Sequence, residues 1–265
     1  MVKRLVVAVI ILPVLYLFIM RSTPFHFFLL ISATALICQV EFLNVYRTGR
    51  FPKYATSLAG IVPIYMTYKY DDVPMSFMAT VFLVVVLLRL FVKKTAREAL
   101  SDVAPFIVSI LYIPLLLCYF VKLRAIGPEL IVFLFLVIWC ADTFALYVGK
   151  YFGKRKLYPE ISPNKTVEGA IAAIFGAIFA AVSLRAFFGL HLSLEKTVVI
   201  GLLLGVVGIV GDLIESMFKR DGNVKDSGNL LPGHGGILDK IDAMLPAAPV
   251  LYFTVLLFLT HVPVR

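Results

Sequence analysis

The chain has 265 residues, of which 61% are hydrophobic and only 15% charged, and it carries a formal net charge of +9. Soluble domains carry about 25% charged residues. This composition, with a mean hydropathy of +0.96, therefore excludes a soluble protein and predicts a lipid bilayer as its surroundings. The positive charge would also suit nucleic acid. In so apolar a chain it more simply reflects basic residues that orient membrane helices and meet anionic lipid or nucleotide phosphates, so we expect no nucleic-acid partner.

A helix that crosses about 30 Å of hydrocarbon needs ~20 apolar residues. The sequence has nine such candidates, which predicts an all-α, polytopic transmembrane protein with spans one to five in residues 1–125 and six to nine in residues 126–265. Residues 1–20 lack a convincing cleavage site and are interpreted as the first span. The third span is the weakest, because Gly60 and Pro63 interrupt it. The nine spans are Leu5–Met20, Phe25–Val45, Tyr54–Tyr68, Val73–Val92, Val103–Val121, Pro128–Val148, Val167–Phe188, Val198–Phe218 and Met244–His261.

Basic residues are divided unequally between the two sides of these spans. The N-terminus and the even-numbered loops hold 18 of the 25 Lys and Arg residues, and the opposite side holds 7. Because basic residues concentrate on the cytoplasmic side, we expect a cytoplasmic N-terminus and place Arg265 on the far side. The two longest polar segments, Gly149–Thr166 and Lys219–Asp242, are then cytoplasmic loops.

Glu41 is the one acidic residue in the first half of the chain that suggests a site. It lies near the cytoplasmic end of the second span, and an ionisable residue at that depth is a functional candidate by default. A structural interpretation, in which Glu41 snorkels to the surface or pairs with Arg47, is the one we favour.

Acidic residues in the second half form a stronger pattern. Asp142 lies inside the sixth span, where an unpaired charge costs about 2.5–3.5 kcal/mol. Four polar residues in the eighth span are spaced so that they share one helix face, namely Asp212, Glu215, Ser216 and Lys219. Such a stripe within a membrane indicates either a salt-bridge network that joins helices or a polar pocket, and we favour the pocket.

The segment after the eighth span combines glycines with acidic pairs. Gly233, Gly235 and Gly236 surround His234 and would let backbone amides face an anion. The spacing of Asp239 and Asp242 would place both carboxylates on one side of a helical turn. Oxygen ligands without a His or Cys cluster favour Mg²⁺, shared with substrate phosphates.

The segment before the seventh span also suggests anion binding. Ser162 followed by Pro163 is typical of a helix start, with Ser162 as the N-cap. Lys165 would then lie in the first helical turn, where a cation is unfavourable unless an anion binds the exposed amides. For the basic run 154–156, anchoring of a cytoplasmic loop remains an equal alternative.

Small residues recur every four positions in the seventh and eighth spans. Such faces permit close helix contact, and we interpret them as structural. They are Gly169, Ala173, Ala177 and Ala181 in one span and Gly201 and Gly205 in the other.

The polar motifs resemble those of the phosphatidate cytidylyltransferase (CDP-diacylglycerol synthase) family. The resemblance is carried by Ser216–Arg220, Lys225–Gly228 and Pro232–Asp242, with a second similar motif at Ile161–Gly169. The sequence departs from the family pattern at four positions, where the family usually has Arg, Ser, Lys and Gly. They are, respectively, Lys240, Ala243, Asn164 and Phe144.

This resemblance implies a Mg²⁺-dependent enzyme that converts CTP and phosphatidic acid into CDP-diacylglycerol and pyrophosphate. With the division of the basic residues, we expect a protein of the cytoplasmic (inner) membrane whose active site faces the cytoplasm. A homo-oligomer is compatible with the sequence.

The residue types suit this chemistry, because two anionic reactants must be neutralised and aligned. We expect Asp212, Asp239 and Asp242 to bind Mg²⁺, with Glu215 and Asp226 as further ligands or supporting residues. The expected phosphate-binding residues are Lys165, Lys219, Arg220, Lys225 and His234. The remaining expected substrate-binding residues are Ser216, Ser227, Gly235, Gly236 and Lys240.

Two other classes of protein fit the sequence less well. A transporter or channel would need polar residues along a complete transmembrane route, whereas here they cluster toward one side. A purely structural membrane protein would leave the glycine-rich segment and the acidic pairs unexplained.

Overall fold

The protein is described by a computed structural model for residues 13–190, 192–230 and 235–259. Residues 13–21 are helical, and eleven further helices and a two-stranded hairpin follow in the described part of the chain. The N-terminal helices are α1 (Pro24–Val45), α2 (Arg50–Ala59), α3 (Ile61–Tyr70), α4 (Met75–Lys93), α5 (Ala99–Tyr112) and α6 (Pro114–Ile126). They are followed by α7 (Pro128–Phe152), β1 (Lys156–Tyr158), β2 (Ser162–Thr166), α8 (Val167–Phe187), α9 (Leu194–Asp221), α10 (Leu238–Ile241) and α11 (Met244–Leu259).

Seven segments of the described residues are long and apolar enough to cross a membrane. This finding confirms an all-α, polytopic membrane protein. Residues 5–12 of the first predicted span lie outside the described part of the chain. The third is divided at Gly60 into α2 and α3, which have ten residues each and so are about 15 Å long. The seven segments are Pro24–Val45, Met75–Lys93, Ala99–Ile126, Pro128–Phe152, Val167–Phe187, Leu194–Asp221 and Leu238–Phe258.

The chain forms two compact units. The N-terminal unit comprises residues 22–122 and 226–238, and the C-terminal unit comprises residues 123–225 and 239–259 together with 13–21. The predicted loop Lys219–Asp242 therefore contributes residues to both units.

Helix α1 carries much of the core of the N-terminal unit. Thr23 caps its first turn by accepting a hydrogen bond from the backbone N–H of His26, and Pro24 occupies the first helical position. Ala35 and Cys38 are fully buried, and Phe28 stacks on Tyr68 of α3 with ring centroids 5.0 Å apart. These contacts hold α1 against the short helices that follow it.

Small residues bring α8 and α9 of the C-terminal unit together. A Cβ added at Gly201 would lie 2.7 Å from Ile178 Cα, and one added at Gly205 would lie 2.8 Å from Ile174 Cα. Only glycine permits so close an approach of the two backbones. The predicted structural role of these two glycines is confirmed. Gly169 instead approaches α7, where its added Cβ would lie 3.2 Å from Gly149 Cα.

The prediction that Ser162 is the N-cap of the seventh span is wrong. Ser162 lies in β2, which pairs antiparallel with β1, and Thr166 is the N-cap, because its hydroxyl accepts a hydrogen bond from Gly169 N–H. A carboxylate oxygen of Glu168 accepts hydrogen bonds from the backbone N–H groups of Lys154 and Arg155, at 3.0 and 3.2 Å. These contacts and the strand pairing keep the chain extended up to Thr166.

Candidate active site

Helix α9 places four polar residues on one face, as their spacing predicts. The Ser216 hydroxyl donates a hydrogen bond to Asp212 Oδ1 at 3.3 Å, one turn away. Lys219 forms an ion pair with Glu215, also one turn away. The Glu215 side chain is only 2% exposed, and neither of its oxygens has a well-aligned hydrogen-bond donor among the described residues. The Lys219 ammonium is therefore the group that compensates this buried carboxylate.

Lys219 also connects α9 to α10. Its Nζ lies 2.7 Å from Asp239 Oδ1, and the Lys219 and Asp239 side chains are 14% and 9% exposed. One ammonium group thus lies between two nearly buried carboxylates from different elements. Electrostatic attraction is strong in such partly desolvated surroundings, so Lys219 fixes the position of Asp239.

Lys165 forms the third ion pair of the cluster. Its Nζ lies 2.7 Å from Asp212 Oδ2, with 24% and 37% of the two side chains exposed. Lys165 lies at the end of β2, two residues before α8, rather than in the first helical turn as predicted. The hairpin therefore delivers a lysine to the same helix face that carries Lys219.

Gly211 brings the chain around Asp242 close to α9. A Cβ added at Gly211 would lie 2.8 Å from the Asp242 carbonyl oxygen and 2.9 Å from Ala243 Cα. The predicted helical turn ends at Ile241, so Asp239 lies within α10 and Asp242 in the turn that follows it. The absence of a side chain at Gly211 thus allows this turn to pack beside Asp212.

The cluster contains more carboxylates than lysines. Asp142 of α7 interacts electrostatically with Asp212 and Lys165, and Asp242 interacts with Asp212, Asp142 and Lys219. With Glu215 and Asp239, five carboxylates therefore face two ammonium groups.

An excess of carboxylate oxygens fits a hard divalent cation chemically. In the described residues, however, no three His, Cys, Asp or Glu side chains are arranged to hold a metal ion. The side chains expected to bind the metal include Asp212 and Asp239, and each of these is paired with a lysine here.

The other predicted phosphate-binding residues have separate surroundings. Arg220 donates hydrogen bonds to the carbonyl oxygens of Ile161, at 3.2 Å, and Val224, at 3.5 Å. Lys225, Asp226 and Lys240 are exposed. The predicted roles of Gly233 and His234 fall on residues outside the described part of the chain.

In the N-terminal unit, Glu41 accepts hydrogen bonds from the glycine-rich segment. Its Oε1 accepts from Ile237 N–H at 3.1 Å, and its Oε2 accepts from Leu238 N–H at 2.9 Å and from the Ser227 hydroxyl at 3.5 Å. The side chain is buried, with the residue 6% exposed, and no Lys or Arg of the described chain lies within ion-pair distance of it. The suggested snorkelling and pairing with Arg47 are therefore both wrong.

One feature of the sequence could have indicated a distant partner for Glu41. Arg47 is six residues away, whereas side chains on one helix face meet at separations of three or four. A buried carboxylate without a basic residue at those separations needs donors from elsewhere in the chain.

The segment that Glu41 binds also borders a cavity. The cavity has a volume of about 710 Å³ and lies within the N-terminal unit. Residues 228–230 form one side, and apolar residues of α1 and α2 form much of the remainder, including Leu36, Val40 and Leu58.

Comparison with known proteins agrees with the motifs. The sequence profile of the cytidylyltransferase family matches residues 2–258. The chain is 33% identical to the phosphatidate cytidylyltransferase of Bacillus subtilis strain 168 over 97% of this chain and 98% of that protein. It is 32% identical to the phosphatidate cytidylyltransferase of Staphylococcus haemolyticus over 93% of this chain and 94% of that protein.

A shorter match is more similar still. Over 155 residues the chain is 41% identical to the phosphatidate cytidylyltransferase of Staphylococcus epidermidis. This matched region covers 58% of this chain and 60% of that protein. The family match extends over nearly all of the sequence. The chain therefore belongs to the cytidylyltransferase family.

Proposed function

We propose that this protein transfers the CMP moiety of CTP to phosphatidic acid, forming CDP-diacylglycerol and pyrophosphate for phospholipid biosynthesis. Family membership and the names of the full-length relatives support the reaction class and the substrates. The structural observation that carries the proposal is the pair of lysines, Lys165 and Lys219, held among carboxylates from α7, α9, α10 and the turn that follows α10.

The reaction makes and breaks one phosphorus–oxygen bond. A phosphate oxygen of the lipid attacks the α-phosphorus of CTP, and the bond from that phosphorus to the β-phosphate bridging oxygen breaks, releasing pyrophosphate. The lipid phosphate is already largely a dianion near neutral pH, so no dedicated general base is needed. The protein must instead bring two anions together and stabilise the charge on the leaving pyrophosphate.

In this proposal the two lysines change partners when substrate binds. Lys165 is paired with Asp212, and Lys219 is paired with both Glu215 and Asp239. Phosphate oxygens would take over the ammonium groups, and the carboxylates would become available to a cation. Arg220, Lys225 and His234 would supply further positive charge to the triphosphate.

Asp212 and Asp239, once set free in this way, would hold Mg²⁺ together with Asp242. When bound, the cation would offset negative charge on the phosphates and at the attacked phosphorus. The excess of carboxylates over lysines in the cluster supports this assignment, because carboxylate oxygens are the ligands that a hard divalent cation prefers.

The proposal includes nine spans, of which α2 and α3 together would form the third, a cytoplasmic N-terminus and a cytoplasmic active site in the inner membrane. The unequal division of Lys and Arg residues supports this orientation. A cytoplasmic site would also meet CTP on the side where nucleotides are made.

The experiment uses the full-length protein purified in detergent. Pyrophosphate release is measured with CTP and phosphatidic acid, with each substrate omitted in turn, and with and without Mg²⁺. Release that requires both substrates and the cation is expected. Release that continues without phosphatidic acid, or no release at all, would refute the proposed reaction.

A further inference from the structure

Glu41 forms hydrogen bonds with residues at both ends of the glycine-rich segment, at Ser227 and at Ile237–Leu238. On one side it contacts Ser227, and on the other it receives the backbone N–H groups of Ile237 and Leu238. These residues lie 186 to 197 positions from Glu41 in the sequence. A single buried side chain of helix α1 therefore links Ser227 to the start of α10.

Two glycines allow this close approach. A Cβ added at Gly228 would lie 2.7 Å from Glu41 Oε1, and one added at Gly236 would lie 2.5 Å from Oε2. Any side chain at either position would displace the carboxylate. The sequence suggested that glycines here expose backbone amides to an anion. At Gly228 and Gly236, the anion that the backbone closely approaches is the protein's own carboxylate.

The hydrogen bonds fix where α10 begins. Leu238 is the first residue of α10 and Asp239 is the second. A carboxylate that accepts hydrogen bonds from two consecutive backbone N–H groups restricts both position and direction of the chain there. The direction of the following residue, Asp239, depends on that restriction. Asp239 in turn contacts Lys219.

We propose that Glu41 is a positioning residue of the transferase reaction. It acts through residues 227–228 and 236–238, and it does so by holding the start of α10 so that Asp239 is presented in a fixed direction. This inference rests on the proposed function for its catalytic consequence, but the holding of the segment can be measured independently of activity.

The main variant is Glu41→Gln, which preserves size while changing the hydrogen-bond pattern. The amide keeps one acceptor oxygen, but its NH₂ group would face a backbone N–H donor. Glu41→Asp keeps both oxygens on a side chain that is one methylene shorter, and serves as the conservative variant. The matched control is Gln39→Met. Gln39 is fully buried on the same helix, and its amide has no hydrogen-bond partner among the described residues.

The structural readout is the reactivity of a thiol introduced by Ser227→Cys. Ser227 is only 5% exposed, so a maleimide should react slowly while Glu41 holds the segment. The three native cysteines, Cys38, Cys118 and Cys140, are replaced in this background. Labelling rates are compared in full-length protein, and turnover per folded molecule is measured separately without the reporter.

We expect Glu41→Gln to accelerate labelling and to lower kcat for pyrophosphate release by up to about a hundred-fold, the loss that a misplacement of about 1 Å in an active site can cause. Glu41→Asp should fall between this variant and the wild type, and Gln39→Met should match the wild type in both measurements. Unchanged labelling, or unchanged kcat per folded molecule alongside a lower melting temperature, would overturn the inference. If the wild type releases no pyrophosphate, the proposed function fails, and the labelling rates alone decide whether Glu41 holds the segment.

Discussion

Replacing Lys165 by alanine removes the ammonium group that lies 2.7 Å from Asp212 Oδ2. If Lys165 neutralises a substrate phosphate, the variant should lose most of its activity and little of its stability. The structure separates these two effects, because the ion pair is partly exposed, with 24% and 37% of the two side chains accessible.

The stability effect should be small. Partly exposed ion pairs contribute about 0–1 kcal/mol, since water and salt screen the charges. The hairpin that carries Lys165 is also held by the two backbone hydrogen bonds to Glu168 and by the Thr166 cap. None of these contacts uses the Lys165 side chain. The melting temperature should therefore change only slightly.

The activity effect should be much larger. Loss of a charge-assisted hydrogen bond to a phosphate costs about 1.5–3 kcal/mol, which lowers kcat/KM roughly ten- to hundred-fold. Charge that develops on the leaving pyrophosphate would add to this loss. The assay is pyrophosphate release from CTP and phosphatidic acid, corrected for the amount of folded protein.

Lys154→Ala is the matched control. Lys154 belongs to the same basic segment, but its side chain is exposed, and the contact seen for it is a backbone N–H donated to Glu168. Alanine retains that N–H. Similar small losses at both positions would mean that the segment only anchors the protein to the membrane surface, and the proposed role of Lys165 would be refuted.

Three further predictions concern the metal, the orientation and the helix packing. Asp242→Asn should relieve repulsion within the acidic cluster, so the melting temperature without Mg²⁺ should stay the same or rise, while turnover should nearly vanish. If the variant instead melts at a lower temperature and keeps its Mg²⁺-stimulated turnover, Asp242 has a structural role. Thiols introduced by Lys154→Cys and Asn223→Cys should react only from the cytoplasmic side, and labelling from outside intact cells would refute the orientation. Gly205→Leu should force α8 and α9 apart and destabilise the protein by about 1–3 kcal/mol or more, whereas Val206→Leu, at a position 41% exposed, should melt like the wild type.

Regular helical spacing explains why part of the candidate site was predictable. The face shared by Asp212, Glu215 and Lys219 follows from 3.6 residues per turn, and the structure pairs Lys219 with Glu215 one turn away. The approach of Gly201 and Gly205 to α8 follows from the same periodicity, combined with the absence of a side chain. In each case the relevant interactions lie within one helix or along one helix face.

Contacts between distant segments account for what was not predicted. The Ser162-Pro163 pair is a local signature of a helix start, but it was overridden by strand pairing and by Glu168 binding to backbone N–H groups 13 and 14 residues earlier. The partners of Glu41 are nearly 200 residues away. No local pattern contains either contact.

The ion pairs around Lys219 are a poor means of stabilisation by themselves. Placing charged groups in partly buried surroundings carries a large desolvation cost, and apolar substitutes for buried ion pairs are often neutral or more stable by about 1–4 kcal/mol. Helices α9 and α10 could be joined by apolar side chains, as α8 and α9 are joined by glycines and alanines. A cluster of five carboxylates and two lysines instead keeps charged groups where anionic substrates and a cation could replace their present partners. The desolvation cost that makes the ion pairs of Lys219 with Glu215 and Asp239 inefficient for stability is what makes these charges effective for phosphate chemistry, since charge–charge interactions are strongest where water is excluded.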